Sequence, residues 1–225
     1  GLGDVYKRQF LNSNKRIEYI GEPKLDGLAV ELVYEKGNFI NGSTRKGRLG
    51  IRFAKYLEKE FTKRGNNCFL VDPDDLALDT LKKRYVDYEE GKAPSTLAKL
   101  HSQFVETDAF IMVSGEYNHF IPPALINILD HFYDEYRRKP SAVTTYSVSP
   151  FGGVRVSNPL RSFLSLLGKP PINAMLHAPF VGKHFNEDGD RTEGDIKERK
   201  KEFDFLANEN ESSATDSYTH LPLPT

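Results

Sequence analysis

The sequence predicts an α/β fold in three layers, a central parallel sheet between helices. Three observations predict it. From Gly42 onward, short apolar runs alternate with amphipathic helical patterns, which implies parallel strands joined by right-handed crossovers. The run Ala109-Phe110-Ile111-Met112-Val113 is the strongest strand, of the kind a sheet covered on both faces needs. Gly42-Ser43-Thr44-Arg45-Lys46-Gly47-Arg48-Leu49-Gly50 lies between the apolar pair Phe39-Ile40 and a helical pattern, the order of parts that makes an anion site at a helix N-terminus.

Composition narrows the function. A 225-residue chain that is 38% apolar can bury a core, while a mean hydropathy of -0.54 leaves part of it polar and unpacked. The 31 basic and 32 acidic residues give a net charge of -1, so charge offers no general case for nucleic-acid binding. Cys68 is the single cysteine, which excludes an internal disulfide and a thiolate zinc cluster. The six histidines lack ligand spacing, and no metal site is expected. No apolar run reaches membrane-span length and no signal peptide is visible, so a cytoplasmic protein without membrane contact is expected.

Residues 1–9 carry no structural period, and residues 209–225 form a polar tail. Val5-Tyr6-Lys7-Arg8-Gln9 and Ser217 to Thr225 resemble translated library-adapter sequence, and both ends are set aside as processing scars. Residues 10–40 read as a hairpin extension, with Leu28 to Tyr34 alternating and Glu35-Lys36-Gly37-Asn38 as its turn. The α/β domain is expected over 41–208. Within it, Ile51, Ala54, Leu57 and Phe61 mark a helix over 50–64, and Asn67 to Asp72 a short strand. Pro73 to Pro94 is a long connection with a helical turn or two. Ser95 caps a helix running to Phe104, and Ser114 to Asn118 is a polar loop after the strong strand. Pro122 opens a helix through Phe132. Ser141 to Val148 is a strand, Ser149 to Arg155 a glycine-bearing loop, Asn158 to Leu167 a helix, Asn173 to Ala178 the last strand and Glu193 to Asn208 a charged final helix.

Glu22-Pro23-Lys24-Leu25-Asp26-Gly27-Leu28-Ala29, followed by a strand pair and Gly42-Ser43-Thr44-Arg45, resembles the start of the adenylation domain of NAD-dependent DNA ligases over about residues 15–45. The resemblance places Lys24 where that family's AMP-accepting lysine stands. The pattern breaks at Lys46-Gly47-Arg48, and no later Asp-Gly-Val-Val-Ile-Lys-like stretch follows. A lysine without a perturbing pocket is protonated at neutral pH, so Lys24 reads as an exposed lysine beside a hairpin.

In an open parallel sheet, ligands bind beyond the carboxyl ends of the strands, which singles out residues 42–48, 114–121 and 147–155. The first of these alone reads equally as a phosphate site and as a capped turn with a solvated basic cluster. Together, Gly-Ser-Thr-Arg at 42–45 with Arg48, Gly115-Glu116-Tyr117-Asn118 before Pro122 and Asn127, and Tyr146-Ser147-Val148-Ser149-Pro150-Phe151-Gly152-Gly153 resemble the NADPH-dependent FMN reductase family of flavodoxin-like proteins over about 42–206. One departure is visible, Gly115 where the family's loop usually has proline.

The resemblance implies a flavodoxin-like sandwich in which Ser43, Thr44, Arg45 and Arg48 hold the FMN phosphate. Gly115, Glu116, Tyr117 and Asn118 would line one edge of the flavin ring, and Ser147, Ser149, Pro150, Phe151, Gly152 and Gly153 its other side. It implies an enzyme that passes a hydride from NADPH or NADH to FMN and electrons on to a flavin, quinone or similar small acceptor. No protein acid, base or nucleophile is required. A homodimer through residues 122–133 is expected. Because Gly37 to Asn41 is short and polar for a first strand, and the two resemblances meet at Gly42, the chain reads as a ligase fragment joined to a reductase; otherwise Ala29 to Tyr34 or Phe39-Ile40 serves as the central strand. The alternatives are a nucleotidyl transferase fragment and a non-catalytic FMN-binding module.

Overall fold

The structure is a computed structural model that describes residues 35–192. Both ends, Lys24, the expected hairpin residues up to Tyr34 and the expected helix over 193–208 lie outside them. Five strands, β1 (Lys36–Asn41), β2 (Asn67–Val71), β3 (Ala109–Gly115), β4 (Ser141–Tyr146) and β5 (Pro171–Ala178), form one sheet in the order β2-β1-β3-β4-β5. All pairs are parallel. The chain leaves β1 toward one edge and returns to build toward the other. A crevice therefore opens at the carboxyl ends of β1 and β3, where connections diverge. This is the flavodoxin-like arrangement.

Alternation along the strands sends side chains to two cores. Phe39, Ile111, Val113 and Ala142 face helix α1 (Gly50–Lys63), whose Phe53, Ala54, Leu57 and Phe61 recur at helical spacing. Ile40, Phe110, Met112 and Val143 face α3 (Ser95–Glu106), α4 (Pro123–Asp130) and α5 (Ser157–Leu166) on the other side. Short helices α2 (Pro73–Leu76) and α6 (Val181–His184) follow β2 and β5. Among the described residues, no helix is long and apolar enough to cross a membrane.

The expected turn at Glu35-Lys36-Gly37-Asn38 is instead the start of β1, a central strand. Its backbone pairs with β2 on one side and β3 on the other. Its buried Asn38 donates to Thr107 at 3.4 Å, and its buried Asn41 to the Ser43 carbonyl at 3.4 Å. An unpaired buried amide costs about 1–3 kcal/mol. These partners, far from the strand in sequence or beyond its end, satisfy the two Nδ2 groups, while Oδ1 of each asparagine has no partner among the described residues, so polar residues in the middle of the sheet are only half compensated. The sheet thus begins at Lys36, inside the stretch assigned to the hairpin. Ser95 is not a cap. Pro94 takes that position in extended conformation, without a side-chain bond, because the residue before the first helical turn needs extended backbone and proline supplies it. Likewise Pro122 is the cap of α4, which stops at Asp130. Ser114 and Gly115 are still strand, since their backbones pair with Thr145 and Tyr146.

Candidate functional site

At the carboxyl end of the sheet, three connections meet around a cleft of about 330 Å³. The first follows β1. Gly42 donates its N–H to the Val113 carbonyl at 3.0 Å, which fixes the start of this loop to β3. Ser43 is 3% exposed and still reaches the cleft, which Arg45, Lys46, Gly47, Arg48 and Leu49 also line. Leu49 caps α1 with no side-chain hydrogen bond, so no cap side chain takes up the first-turn N–H donors beside the cleft. The donors, the helix dipole and Arg45 make this end suited to an anion.

The second connection follows β3. Gly115, Glu116 and Tyr117 line the cleft. The Tyr117 hydroxyl lies 2.6 Å from the Ser43 hydroxyl, and the Arg45 guanidinium lies 5.3 Å from the Tyr117 ring centroid. Glu116 accepts the Arg155 N–H at 3.1 Å, with His119 Nε2 at 3.8 Å. It therefore ties this loop to the third connection. There Ser147 and Val148 line the cleft, and Val181 of α6 joins them. Val181 arrives by backbone bonds: its N–H reaches the Ser147 carbonyl at 3.0 Å, and the Phe180 N–H reaches the Ser149 carbonyl at 3.2 Å.

The structure thus brings together Ser43, Arg45, Arg48, Gly115, Glu116, Tyr117 and Ser147. Thr44, Asn118, Ser149, Pro150, Phe151, Gly152 and Gly153 do not line the cleft. Thr44, Asn118, Pro150 and Phe151 point to solvent. Gly153 also has a role in packing. Gly153 has φ +71°, and a Cβ there would lie 2.7 Å from the Tyr146 carbonyl, so it packs the loop onto the end of β4. Arg48 is also redirected. Its guanidinium is held by the carboxylates of Asp72 and Asp74, so its charge is largely answered inside the protein.

Tyr146, which opens the third motif, was not among the expected site residues. Its phenol lies in the cleft floor, and burial pushes its pKa up to about 12 against the pull of Ser43 and Arg48. It is a hydrogen-bond donor throughout the neutral range. Its place at the carboxyl end of a strand and at the head of that motif were the available signals. Val181 had none, because it depends on contacts across the fold. Among the described residues no cluster of three His, Cys, Asp or Glu could hold a metal.

The model for NADPH-dependent FMN reductases matches residues 38–181, and that for the NAD-dependent DNA ligase adenylation domain matches residues 4–56. A flavoenzyme NAD(P)H:(acceptor) oxidoreductase, FerB from Paracoccus denitrificans, superposes with TM-score 0.66 at 21% identity over 81% of this chain and 98% of its own. An oxidoreductase from Corynebacterium diphtheriae superposes with TM-score 0.56 at 10% identity over 82% and 99%. At these identities the two structures speak for the fold. The DNA ligase of Geotalea uraniireducens is 66% identical over 35 residues, 16% of this chain. The chain spans only 5% of that ligase's length.

Proposed function

Because the chain belongs to the NADPH-dependent FMN reductase family, we propose that it is an NAD(P)H-dependent FMN oxidoreductase that delivers electrons to a small organic acceptor. The observation that carries this reading is the convergence of Ser43, Arg45, Glu116, Tyr117 and Ser147 from three strand-end connections on one cleft. The residues fit FMN. An open helix N-terminus, Ser43 and Arg45 suit its phosphate, and Tyr117 with the backbone of 115–117 and 147–148 suits a flat ring with a polar rim. When bound, FMN supplies the redox chemistry, taking a hydride from NADPH or NADH and passing electrons on.

The chain's own residues bind and orient. Arg45 neutralises phosphate charge. Arg48, held by Asp72 and Asp74, shapes the wall more than it adds charge. Leu49, Val148 and Val181 add apolar surface to the cleft wall. No side chain is asked to act as nucleophile.

The test is an absorbance spectrum after FMN addition and desalting, then after NADPH. Flavin peaks should be retained and should bleach on NADPH, and Arg45→Ala should lower retention about tenfold, the usual effect of a lost charged contact. A protein that stays yellow without bleaching would be a non-catalytic flavin binder. An AMP–lysine adduct formed from NAD would favour the ligase-like reading instead.

A further inference from the structure

Glu116 lines the cleft, yet its side chain is only 13% exposed and its carboxylate is taken up inside the protein. One oxygen accepts the Arg155 backbone N–H at 3.1 Å. The other lies 3.6 Å from the Arg155 guanidinium and 3.8 Å from His119 Nε2. Arg155 sits in the helical turn Val154–Val156, which runs straight into α5. The first N–H groups of a helical segment have no partner within it. Gly153 and Val156 stand at the two cap positions here, and neither gives a side-chain bond. A carboxylate 39 residues back in the chain takes the place of the missing cap.

That cap joins two walls of the cleft. Other bonds hold residues 147–155 to their own side of the sheet. Thr145 of β4 donates to the Gly152 carbonyl at 2.6 Å, and the Val181 and Phe180 N–H groups reach the Ser147 and Ser149 carbonyls from beyond β5. The bond from Glu116 instead fixes these residues to the connection after β3. A flat ring held from two sides needs those sides at a fixed spacing. We propose that Glu116 is a positioning residue: by capping the Arg155 N–H it holds the connection after β4 against the connection after β3, and so sets the gap that takes the flavin ring. This rests on the FMN reading of the cleft.

Two conservative variants separate reach from charge. Glu116→Gln keeps the length and a carbonyl oxygen for the N–H but loses the charge. Glu116→Asp keeps the charge but is one methylene short. FMN and riboflavin, which share the ring and differ in the phosphate, are titrated into the full chain and into both variants, with amide hydrogen exchange at Arg155 alongside. Glu116→Asp should weaken both flavins alike, by about tenfold, the effect of one lost hydrogen bond to a charged partner, and should speed exchange at Arg155. Glu116→Gln should lose clearly less and keep that amide slow. Arg155→Ala retains the backbone N–H and should bind both flavins as the parent chain does. Unchanged binding in Glu116→Asp would overturn the proposal, as would a loss in Glu116→Gln that equals or exceeds it. A loss confined to FMN would place Glu116 at the phosphate end and overturn it too. A loss in Arg155→Ala as large as that in Glu116→Asp would give the role to the guanidinium, with the same result. If the unaltered chain binds neither flavin, the FMN reading fails and the proposal with it.

Discussion

The two ends of the parallel sheet bury polar groups by opposite means. At the carboxyl end, hydroxyls meet one another or a carbonyl. Ser43 meets Tyr117 at 2.6 Å, Thr145 donates to the Gly152 carbonyl at 2.6 Å, and Ser147 donates to that of Ser149 at 2.8 Å. At the amino end, the Lys169 ammonium lies 3.5 Å from the ring centroids of both Phe110 and Tyr136, fully buried. Among the described residues, neither its nitrogen nor the Tyr136 hydroxyl has a hydrogen-bond partner. The difference teaches where polarity serves binding. The open end pairs its hydroxyls and leaves them capable of one more bond, although Asn41 Oδ1 and Arg48 Nε there have no partner among the described residues. The closed end carries a group that nothing can reach and that costs stability.

Lys169 offers the largest effect. Two aromatic faces favour its cation by about 2 kcal/mol. Dehydration opposes this at several kcal/mol per ion, and the Lys139 ammonium adds repulsion. Burial wins, and the pKa of Lys169 falls well below the usual lysine range. Below the ordinary value of 10.5 the unfolded chain takes up a proton that the folded chain refuses. Stability from this site is therefore full above pH 10.5 and is lost as pH falls toward the folded pKa. Lys169→Met keeps the apolar stem and removes the amine. It should stabilise the fold by about 1–3 kcal/mol at pH 7, with the advantage shrinking toward pH 10.5. Urea unfolding of both chains between pH 7 and 10 measures this. A variant no more stable at pH 7 would show that the aromatic faces outweigh dehydration.

A methyl group at Gly50 probes the open end. Alanine is the better helix former by up to about 1 kcal/mol, but its Cβ would fall 2.1 Å from the Tyr146 ring, and overpacking of this kind costs about 1–3 kcal/mol. Sterics should win. Gly50→Ala is expected to lower stability by about 1–2 kcal/mol and to weaken FMN binding with it. A stabilised Gly50→Ala chain would mean that the phenol does not occupy the cleft floor.

The same contrast separates what the sequence reveals from what it hides. β3 is legible because Ala109 to Val113 is apolar on both faces. β1 is less so, since its buried Asn38 and Asn41 are only half satisfied, through Thr107 and the Ser43 carbonyl, and Gly37-Asn38 copies a turn signal. The loops of the cleft are legible because the topology places ligands at strand ends, which located Ser43, Arg45, Glu116, Tyr117 and Ser147. The diversion of Arg48 depends on carboxylates 24 and 26 residues away, beyond the reach of any local pattern. Gly115 breaks the expected loop pattern for a reason found only in three dimensions, the Tyr146 hydroxyl beside it.

The smallest effect concerns strain at the cleft rim. Tyr117 and Phe120 exchange backbone bonds at 3.1 and 3.0 Å around Asn118 and His119, whose φ angles are +52° and +64°. This is a two-residue hairpin turn that wants Asn-Gly. A left-handed residue other than glycine costs about 1–2 kcal/mol, and asparagine bears it better than histidine. Glycine at 119 would relieve that strain but return about 0.5–1 kcal/mol in chain entropy. The contact of His119 with Glu116 at 3.8 Å is lost, but a 69% exposed side chain makes it worth little. His119→Gly should therefore stabilise the chain by about 0.5 kcal/mol and leave FMN retention unchanged, as read by denaturant midpoint and by desalting. A destabilised variant would show that the Glu116 contact holds the rim. The cleft end would then rest on charge as well as on hydroxyls, and the contrast with the Lys169 end would narrow.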